Sequence, residues 1–417
     1  MRVQTILNRV EKYKCFVYGR AWLEESGDGL ALVVSVRSRK NSRPECAGCG
    51  RRCRGYDRLE ERRFEFVPLW GLVVWFVYRM RRVNCPTCGV TVERVPWCDG
   101  QHRLTTTYRW FLARWARRLS WSEVADIFHT SWDSVCRSVE YAVEWGLAHR
   151  ELSGVTAVGV DEISWGKGHA YLTVVSQIAG GWKRLLAVTE DRTEESLRGA
   201  LSSLGETVCG GVQFVCSDMW KPYLNVIREK LGQAVQVLDR FHIRQHFGKA
   251  LDAIRAEESR RLQRDGYEPV LTKSRWCLLK RPENLTDRQT VKLSEVLKYN
   301  RQSVRADLHR EEFQRFWEYR RATWAGKFLD EWTARVMRSR LEPLKKVARM
   351  LRTHRELILN WFRAKGEISS GAVEGLNNKA KVVTRKSYGF RTFHVAKLAL
   401  FHTLGHLPEP EATHRFC

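Results

Sequence analysis

Short stretches of alternating apolar and polar residues occur in the first hundred positions, which is the pattern of half-buried β-strands. One stretch covers residues 30–36 and follows a Gly-Asp-Gly turn, and residues 67–78 form a longer apolar run that we interpret as one buried strand. From residue 104 to residue 119 the apolar positions take helical spacing. We therefore predict strands in residues 1–100 and a helix directly after them.

Residues 120–139 have the pattern of two helices joined by a tight turn. Ser120 or Ser122 can cap the first helix, whose apolar residues lie on one face. After a brief turn, apolar residues recur four positions apart, as in the second helix of a helix-turn-helix. Its candidate contacts in the DNA major groove are Ser131, Trp132, Ser134, Arg137 and Ser138. A basic flank strengthens this interpretation: Arg114, Arg117 and Arg118.

The pattern changes again near residue 155, where strands and helices alternate. We predict strands at 155–162, 171–178, 184–189, 212–216 and 235–238, and helices at 194–204 and 222–231. Three strands followed by helix, strand, helix and strand is the element order of a ribonuclease H-like fold. Residues 242 to about 365 are almost entirely helical in pattern, and a last helix candidate follows at 371–381.

Two Cys-x-x-Cys pairs on either side of a hairpin-sized spacer have the layout of a zinc ribbon. Tetrahedral zinc takes four thiolates, which these pairs supply: Cys46, Cys49, Cys85 and Cys88. Glycines beside the pairs permit the sharp turns that both knuckles need: Gly48, Gly50 and Gly89. Cys53 is a spare ligand that could replace Cys49.

Charge and hydropathy narrow the class of protein. Lys and Arg total 72 against 47 Asp and Glu, and a net charge of +25 favours a polyanionic partner such as nucleic acid. No apolar run approaches the roughly 20 residues that span a bilayer, and the start lacks the apolar segment of a signal peptide. We expect a cytoplasmic protein, and in a reducing cytosol 12 cysteines favour metal binding over disulfides.

Three carboxylates stand out by their context. Asp161 ends the first strand of the alternating region and Asp218 ends the fourth, so both are expected at one edge of the sheet. Glu374 lies on the late helix among small residues that allow close packing on that sheet. Carboxylate oxygens suit Mg²⁺ or Mn²⁺, and two such ions ~3.5–4 Å apart assist phosphodiester chemistry.

Other residues near the same edge remain open as ligands. Glu162 and Asp239 are the rival carboxylates. His242 and His246 have helical spacing and could bind a metal with Asp239, although orienting or packing roles are the simpler interpretation.

Taken together, these motifs resemble those of bacterial insertion-sequence transposases of the DDE class, most closely the ISL3 family. The cysteine pairs look like that family's zinc module, and residues 120–139 look like its helix-turn-helix. Its core motifs are matched by Val160-Asp161-Glu162, Ser217-Asp218-Met219, Asp239-Arg-Phe-His242, Val373-Glu374-Gly-Leu-Asn377 and Ser387-Tyr-Gly-Phe390-Arg391. The lead-in to Glu374 departs from the family, with Ser-Gly-Ala in place of Ser-Asn-Gly or similar.

The resemblance implies an α/β multidomain chain in which a large all-helical insertion interrupts a ribonuclease H-like core. It implies that Asp161, Asp218 and Glu374 are the catalytic triad. The division of the chain that we expect is an N-terminal strand segment (1–43), a zinc-binding module (44–100), a helix-turn-helix domain (101–153), the first part of the core (154–247), the insertion (248–365), the final core helix (366–400) and a C-terminal tail (401–417).

The function expected on this basis is binding of the element's terminal inverted repeats, followed by metal-dependent strand cleavage and strand transfer. The expected cofactors are two Mg²⁺ or Mn²⁺ ions per active site and one structural Zn²⁺. The partner is double-stranded DNA, from the element ends and from the target, bound by a homodimer or larger assembly. Expected phosphate contacts follow the catalytic glutamate: Lys379, Lys381, Arg385 and Lys386.

Two other functions remain open at this point. A non-catalytic DNA-binding regulator would explain the zinc module, the helix-turn-helix and the charge, but not the carboxylates at matching strand ends. A structure-selective nuclease would cut DNA without joining it.

Overall fold

A computed structural model describes residues 2–26, 29–100, 102–165, 170–265, 284–299, 301–364, 368 and 371–411. The chain divides into two compact units. The first consists of Met1–Arg150, Arg385–Thr403 and Leu407–Cys417, and the second of Glu151–Thr384 and Leu404–His406. The division falls inside residues 366–400, which we had expected to belong to the core alone.

The first unit begins with a helix and a five-stranded sheet. The elements are α1 (Val3–Val10), β1 (Phe16–Ser26), β2 (Gly29–Ser38), β3 (Arg54–Leu69), β4 (Leu72–Cys85) and β5 (Gly89–Val92). The strand order is β1-β2-β4-β3, with β5 paired to β4. Because β2 pairs in parallel with β4, the strands on both sides of residue 43 share one sheet. The prediction of a strand at 30–36 is confirmed, whereas α1 was not predicted.

The prediction of one buried strand over residues 67–78 is wrong. The run crosses the tip of the β3–β4 hairpin, where Leu69 pairs with Leu72. The two residues between them have left-handed backbones, with φ of 53° at Trp70 and 80° at Gly71. Such two-residue turns match the twist of the flanking strands. Because the residues on both sides of the turn are apolar, the hydrophobic pattern alone did not reveal the turn.

Three helices follow the sheet in the first unit: α2 (Thr106–Ala116), α3 (Trp121–Ile127) and α4 (Trp132–His149). Ser120 caps α3, since its hydroxyl accepts a hydrogen bond from the Glu123 N–H at 3.3 Å. The Glu123 carboxylate accepts in return from the Ser120 N–H at 2.7 Å. This reciprocal pair fixes the start of α3, as the sequence predicted.

The C-terminal residues of the first unit include α15 (Phe393–Leu404), and the residues after it are packed. The side chain of Leu407 closely covers Gly146 of α4, where an added Cβ would lie 2.6 Å from the Leu407 Cβ. Glu409 forms ion pairs with Arg114 at 2.9 Å and Arg117 at 2.7 Å. Two arginines of the expected basic flank therefore bind a carboxylate. The part of the expected tail beyond residue 411 lies outside the described residues.

The second unit contains a mixed five-stranded sheet flanked by helices. Its elements are β6 (Ala157–Ser164), β7 (Tyr171–Gln177), β8 (Arg184–Glu190), α5 (Glu194–Ser202), α6 (Glu206–Gly211), β9 (Phe214–Ser217), α7 (Lys221–Lys230) and β10 (Val235–Leu238). The strand order is β10-β9-β6-β7-β8. The β6–β7 and β7–β8 pairs are antiparallel, whereas β6–β9 and β9–β10 are parallel. The predicted order of elements is confirmed, with the short α6 added.

The central strand β6 extends further toward its C-terminal end than predicted. Its parallel pairing with β9 stops at Gly159, but its antiparallel pairing with β7 continues to Ser164. Asp161 and Glu162 therefore lie within the strand, whereas we had expected them at its end. Apolar periodicity stops at Val160 because the last part of β6 has lost one of its two neighbours.

The remaining elements of the second unit are helical, as predicted, and no strand occurs in the described part of residues 240–384. They are α8 (Arg240–Arg264), α9 (Asp287–Tyr299), α10 (Arg301–Gln314), a 3₁₀ turn (Arg315–Glu318), α11 (Ala322–Arg338), α12 (Glu342–Thr353), α13 (Arg355–Arg363) and α14 (Gly371–Lys386). Large aromatic residues fill the core between these helices: Phe247, Phe313, Phe316 and Trp332. Among the described residues no helix is long and apolar enough to cross a membrane.

Candidate active site and cysteine cluster

Three aspartates of the second unit lie at one level of its sheet: Asp161 within β6, and Asp218 and Asp239 directly after β9 and β10. The pairing of Gly159 with Cys216 places Asp161 opposite Asp218 two residues later. The pairing of Ser217 with Leu238 places Asp218 opposite Asp239. Neighbouring strands are about 4.8 Å apart, so the three carboxylates share one edge of the sheet. All three are buried, with exposed fractions of 5–8%.

The Asp161 carboxylate is held through both of its oxygens. Oδ1 accepts a hydrogen bond from the Glu162 N–H at 2.8 Å, and Oδ2 accepts one from the Asn377 side-chain amide. Burial raises the pKa of Asp161 above its ordinary value, and these hydrogen bonds oppose that shift. The contacts fix the orientation of the carboxylate.

Asp218 is oriented by its own loop and by a guanidinium. Oδ1 accepts from the Trp220 N–H at 3.0 Å, and Oδ2 from Arg192 Nη2 at 3.2 Å. Arg192 Nη1 also lies 3.2 Å from Glu162 Oε1. Burial, reinforced by the Asp218 charge, raises the pKa of Glu162 to about 7. The second oxygen of Glu162 is buried without a hydrogen-bond partner.

Asp239 serves as the N-cap of α8. Its Oδ1 accepts from the Phe241 N–H at 2.7 Å, and its Oδ2 lies 3.1 Å from His242 Nδ1. The hydrogen bond to Asp239 raises the pKa of His242, and the charges of Asp161 and Asp218 add to this shift. Both Asp239 oxygens thus have protein partners, as do both oxygens of Asp161 and of Asp218, so hydrogen bonding alone does not distinguish the metal ligands among the three.

Glu374 reaches the same region on the first turn of α14. Val373 packs on β6, where a Cβ added to Gly159 would lie 2.5 Å from the Val373 Cγ2. Asn377, one turn later, donates to Asp161. Glu374 lies between these two contacts in the chain, but its side chain is exposed. The structure therefore brings the helix of Glu374 onto β6.

Among the described residues, one group of at least three possible metal ligands has all its ligand atoms within 4.8 Å of one another. This group consists of the four cysteines. The Glu374 carboxylate does not reach that closeness with Asp161 and Asp218. Nor does His246 form such a set with Asp239 and His242. The sheet edge that carries Asp161, Asp218 and Asp239, which we call the carboxylate edge, is thus more open than the cysteine site.

The cysteine set unites the predicted ligands of the first unit: Cys46, Cys49, Cys85 and Cys88. Gly48 sits against this set, and a Cβ there would lie 3.1 Å from the Cys88 Sγ. Backbone N–H groups of Cys88 and Thr87 lower the pKa of the Cys85 thiol to about 6. Such a thiolate is ready to bind a metal. Cys53 lies outside the set, and its thiol faces the Arg51 carbonyl at 3.5 Å.

The predicted DNA-contact residues of α4 divide into two groups. Trp132 and Arg137 are exposed. Ser131 caps the helix by accepting from the Ser134 N–H at 3.1 Å, and the two hydroxyls lie 2.9 Å apart. Ser138, which we had predicted as a contact, is fully buried. Its hydroxyl donates to the Ser134 carbonyl at 2.6 Å.

The four basic residues after Glu374 also differ from one another. Lys379, Lys381 and Arg385 are exposed. The Lys386 ammonium instead donates to the Ala116 carbonyl at 3.3 Å, at the C-terminal end of α2. A cation suits that position because the last carbonyls of a helix are partially negative.

Three residues of the carboxylate edge were not predicted to act there: Arg192, Trp220 and Asn377. A signal for Arg192 existed, because β8 runs parallel to β6 and the loop after β8 reaches the same edge. Asn377 could have been found from its position one turn after Glu374. Trp220 contributes its backbone N–H, which side-chain patterns do not report.

Comparison with known proteins decides the family. A profile of the ISL3 group of DDE enzymes, described as "Transposase", matches residues 158–400. The chain belongs to the ISL3 family of DDE transposases. Family membership implies the use of divalent metal ions, and the matched range contains Asp161, Asp218 and Glu374.

Similarity to curated insertion-sequence transposases extends along most of the chain. The transposase for insertion sequence element IS1001 of Bordetella parapertussis is 27% identical over 373 residues, covering 89% of this chain and 90% of that protein. The transposase for insertion sequence element IS1557 of Mycobacterium tuberculosis H37Rv is 28% identical over 424 aligned positions, covering 94% and 93%.

Both sites of this DDE transposase fit the metals that their donor atoms select. The carboxylate edge offers hard oxygen ligands, and the buried, unpartnered oxygen of Glu162 indicates a polar partner still to be bound. Four sulfur atoms in one set are the donor set of a structural zinc site.

Proposed function

We propose that this chain binds the terminal inverted repeats of an insertion sequence and catalyses metal-dependent strand cleavage and strand transfer. The register that aligns Asp161 with Asp218 at one sheet edge is the observation that carries the proposal. The packing of α14 beside them through Val373 and Asn377 supports Glu374 as the third carboxylate.

The catalytic domain is a ribonuclease H-like core. The strand order β8-β7-β6-β9-β10, with three antiparallel strands followed by two parallel ones, supports this assignment. In this reading the helices between β10 and α14 are an insertion that separates Glu374 from the two aspartates along the chain.

Asp161, Asp218 and Glu374 are the proposed ligands of the catalytic ions. Two bound Mg²⁺ or Mn²⁺ ions would activate the attacking oxygen and stabilise the leaving oxygen of an in-line displacement at phosphorus. Asn377 and the Glu162 N–H orient Asp161, and the Trp220 N–H orients Asp218. Asp239 holds His242 beside these carboxylates, and the hydrogen bond to Asp239 raises the pKa of His242.

The first unit is proposed to recognise the element ends. Trp132 and Arg137 are exposed at the start of α4, where a helix-turn-helix contacts the major groove. The cysteine set would hold one structural Zn²⁺. The exposed Lys379, Lys381 and Arg385 suit contacts with DNA phosphates. We expect a homodimer or larger assembly on DNA, since two element ends must be held together.

A cleavage and joining assay tests the proposal. Wild-type protein and Glu374→Gln are incubated with labelled element-end DNA, a target plasmid and Mg²⁺, and cut and joined products are separated on a gel. We expect the wild type to cut at the element boundary and join the product to the target. Glu374→Gln should bind the DNA without cutting it. Glu331→Gln, an exposed helical glutamate, is the matched control.

The other outcomes identify the competing functions. Cutting without joined products would indicate a nuclease. Binding without cutting by both proteins would indicate a non-catalytic regulator. Equal cutting by wild type and Glu374→Gln would remove Glu374 from the triad and turn attention to Glu162 and Asp239.

A further inference from the structure

An arginine lies inside the carboxylate edge of the second unit. Arg192 follows β8 and directly precedes Thr193, the N-cap of α5. One Nη atom of its guanidinium lies 3.2 Å from Asp218 Oδ2, and the other lies 3.2 Å from Glu162 Oε1. The centre of the guanidinium lies 4.3 Å from the centroid of the Trp220 ring. Two ion pairs and an aromatic face therefore fix one side chain.

The backbone that carries Arg192 is also constrained. Asp191 has a left-handed φ of 67°, a conformation that aspartate adopts more readily than most residues with a side chain. Its N–H donates to the Tyr171 carbonyl at 2.9 Å, and its carbonyl accepts from the Thr173 hydroxyl at 2.7 Å. The loop is thus tied to β7 at both polar groups of Asp191. These two hydrogen bonds fix the residue before Arg192, so the loop delivers Arg192 at a defined place.

The position of Arg192 conflicts with simple metal binding. A guanidinium keeps its charge at every physiological pH, so it repels a divalent cation from the Asp218 carboxylate that it touches. If Arg192 only stabilised the carboxylates in the absence of metal, bound metal ions would displace it from them. The planar fork of a guanidinium also matches the oxygens of a phosphate.

We propose that Arg192 neutralises Asp218 and Glu162 before the ions bind, and then binds a non-bridging oxygen of the scissile phosphate. The Trp220 ring supports the guanidinium in both states. Arg192 is then a catalytic residue that stabilises the charge developing on the phosphate during cleavage and strand transfer. This inference rests on the proposed function, since it requires DNA at the carboxylate edge.

The test compares Arg192→Gln and Arg192→Lys with wild type in two assays. The first measures Mn²⁺ binding to the free protein by electron paramagnetic resonance. The second measures single-turnover cleavage of element-end DNA at saturating Mn²⁺. Arg198→Gln is the matched control, since Arg198 lies on α5 and pairs with Glu229 on the surface. Thermal melts establish that each variant is folded.

We expect opposite effects in the two assays. Arg192→Gln should bind Mn²⁺ about threefold or more tightly, because a like charge has been removed. Its cleavage rate at saturating metal should fall about 100-fold, the usual loss for a donor to transition-state charge. Arg192→Lys keeps a charge without the fork and should fall between Gln and wild type. Arg198→Gln should match wild type in both assays.

A purely positioning role predicts a different result. Arg192→Gln would then bind Mn²⁺ more weakly, and extra metal would restore its cleavage rate; this outcome, or unchanged cleavage, overturns the inference. Glu374→Gln is assayed alongside the variants. If wild type cuts, Glu374→Gln does not, and Arg192→Gln cuts normally, the Arg192 inference alone fails. If wild type does not cut, the proposed function fails and the phosphate role of Arg192 fails with it.

Discussion

The cysteine cluster of the first unit and the carboxylate edge of the second are both sets of metal-ligand side chains, assembled in different ways. The cysteines come from two knuckles, and their four sulfurs already lie within 4.8 Å of one another. The aspartates come from three strands and meet through strand register, while Glu374 arrives on a later helix and remains exposed.

The difference reflects the charge and chemistry of the two sets. Four thiols need not all be ionised before a metal binds, so a complete cluster is compatible with a stable fold. Clustered carboxylates repel one another unless a cation lies among them, and here the Arg192 guanidinium pairs with Asp218 and Glu162. The cysteine set is thus complete in one unit, whereas the carboxylate set in the other unit is open.

The largest effect is expected from breaking the cysteine cluster. Cys46 is a buried member of the set, so Cys46→Ser should abolish zinc binding and unfold much of the first unit, since structural zinc supplies ~10 kcal/mol or more. Zinc content by elemental analysis and thermal melting check this. Cys53→Ser is the control: Cys53 is buried beside the cluster but outside it, so one zinc per chain should remain. Loss of zinc in the control alone would reverse the ligand assignment.

The next largest effect is expected at the carboxylate edge and should be functional rather than structural. Asp218→Asn keeps the side-chain shape but removes the charge, so the cleavage rate should fall by about 1,000-fold or more through loss of a metal ligand. The melting temperature should change little, because the Trp220 N–H can still be bound. Single-turnover cleavage and calorimetry measure both quantities. A variant that unfolds like Cys46→Ser would remove the distinction between the two sites.

Gly159→Ala tests whether the open site depends on the packing of α14. A Cβ there would lie 2.5 Å from Val373 Cγ2 and 2.9 Å from Ile178 Cγ2, so the helix must shift. We expect a loss of ~1–3 kcal/mol in unfolding free energy, together with slower cleavage. Gly199→Ala, where the added Cβ has open space, is the control for chemical denaturation. Equal stability of both variants would argue against tight packing of α14 on β6.

The smallest effect is expected at Asn377, which orients Asp161. Asn377→Ala should slow cleavage about tenfold or more while DNA binding is unchanged, as for other groups that orient a metal ligand. Asn378→Ala, the exposed neighbour, should behave like wild type in single-turnover cleavage and gel-shift assays. The same rate for both variants would show that the Asn377 contact does not matter for catalysis.

Features set by local sequence were predicted well. The cysteine knuckles, the Ser120 cap and the order of strands and helices in the second unit depend on residues close together in the chain. The expectation that Asp161 and Asp218 lie at one sheet edge is confirmed by the register of β6 with β9, although β6 itself continues past Asp161.

Features set by distant contacts were not predicted. The continuation of β6 past Asp161 depends on its partner β7, and the packing of Leu407 and Glu409 depends on α2 and α4. The role of Arg192 depends on the meeting of the β8–α5 loop with Asp218. The hydrophobic pattern of a single segment carries no information about such contacts.

The central claim is that Asp161, Asp218 and Glu374 together bind the catalytic ions, and exchange of the ligand atom tests it most directly. Each residue, and Asp239 for comparison, is changed to Cys, and element-end cleavage is measured in Mg²⁺ and in Mn²⁺. Thiolate is a poor ligand for Mg²⁺ and a better one for Mn²⁺. We predict that the three triad variants are inactive in Mg²⁺ and recover in Mn²⁺, whereas Asp239→Cys shows no such recovery. Recovery by Asp239→Cys, with Glu374→Cys inactive in both metals, would contradict the assignment.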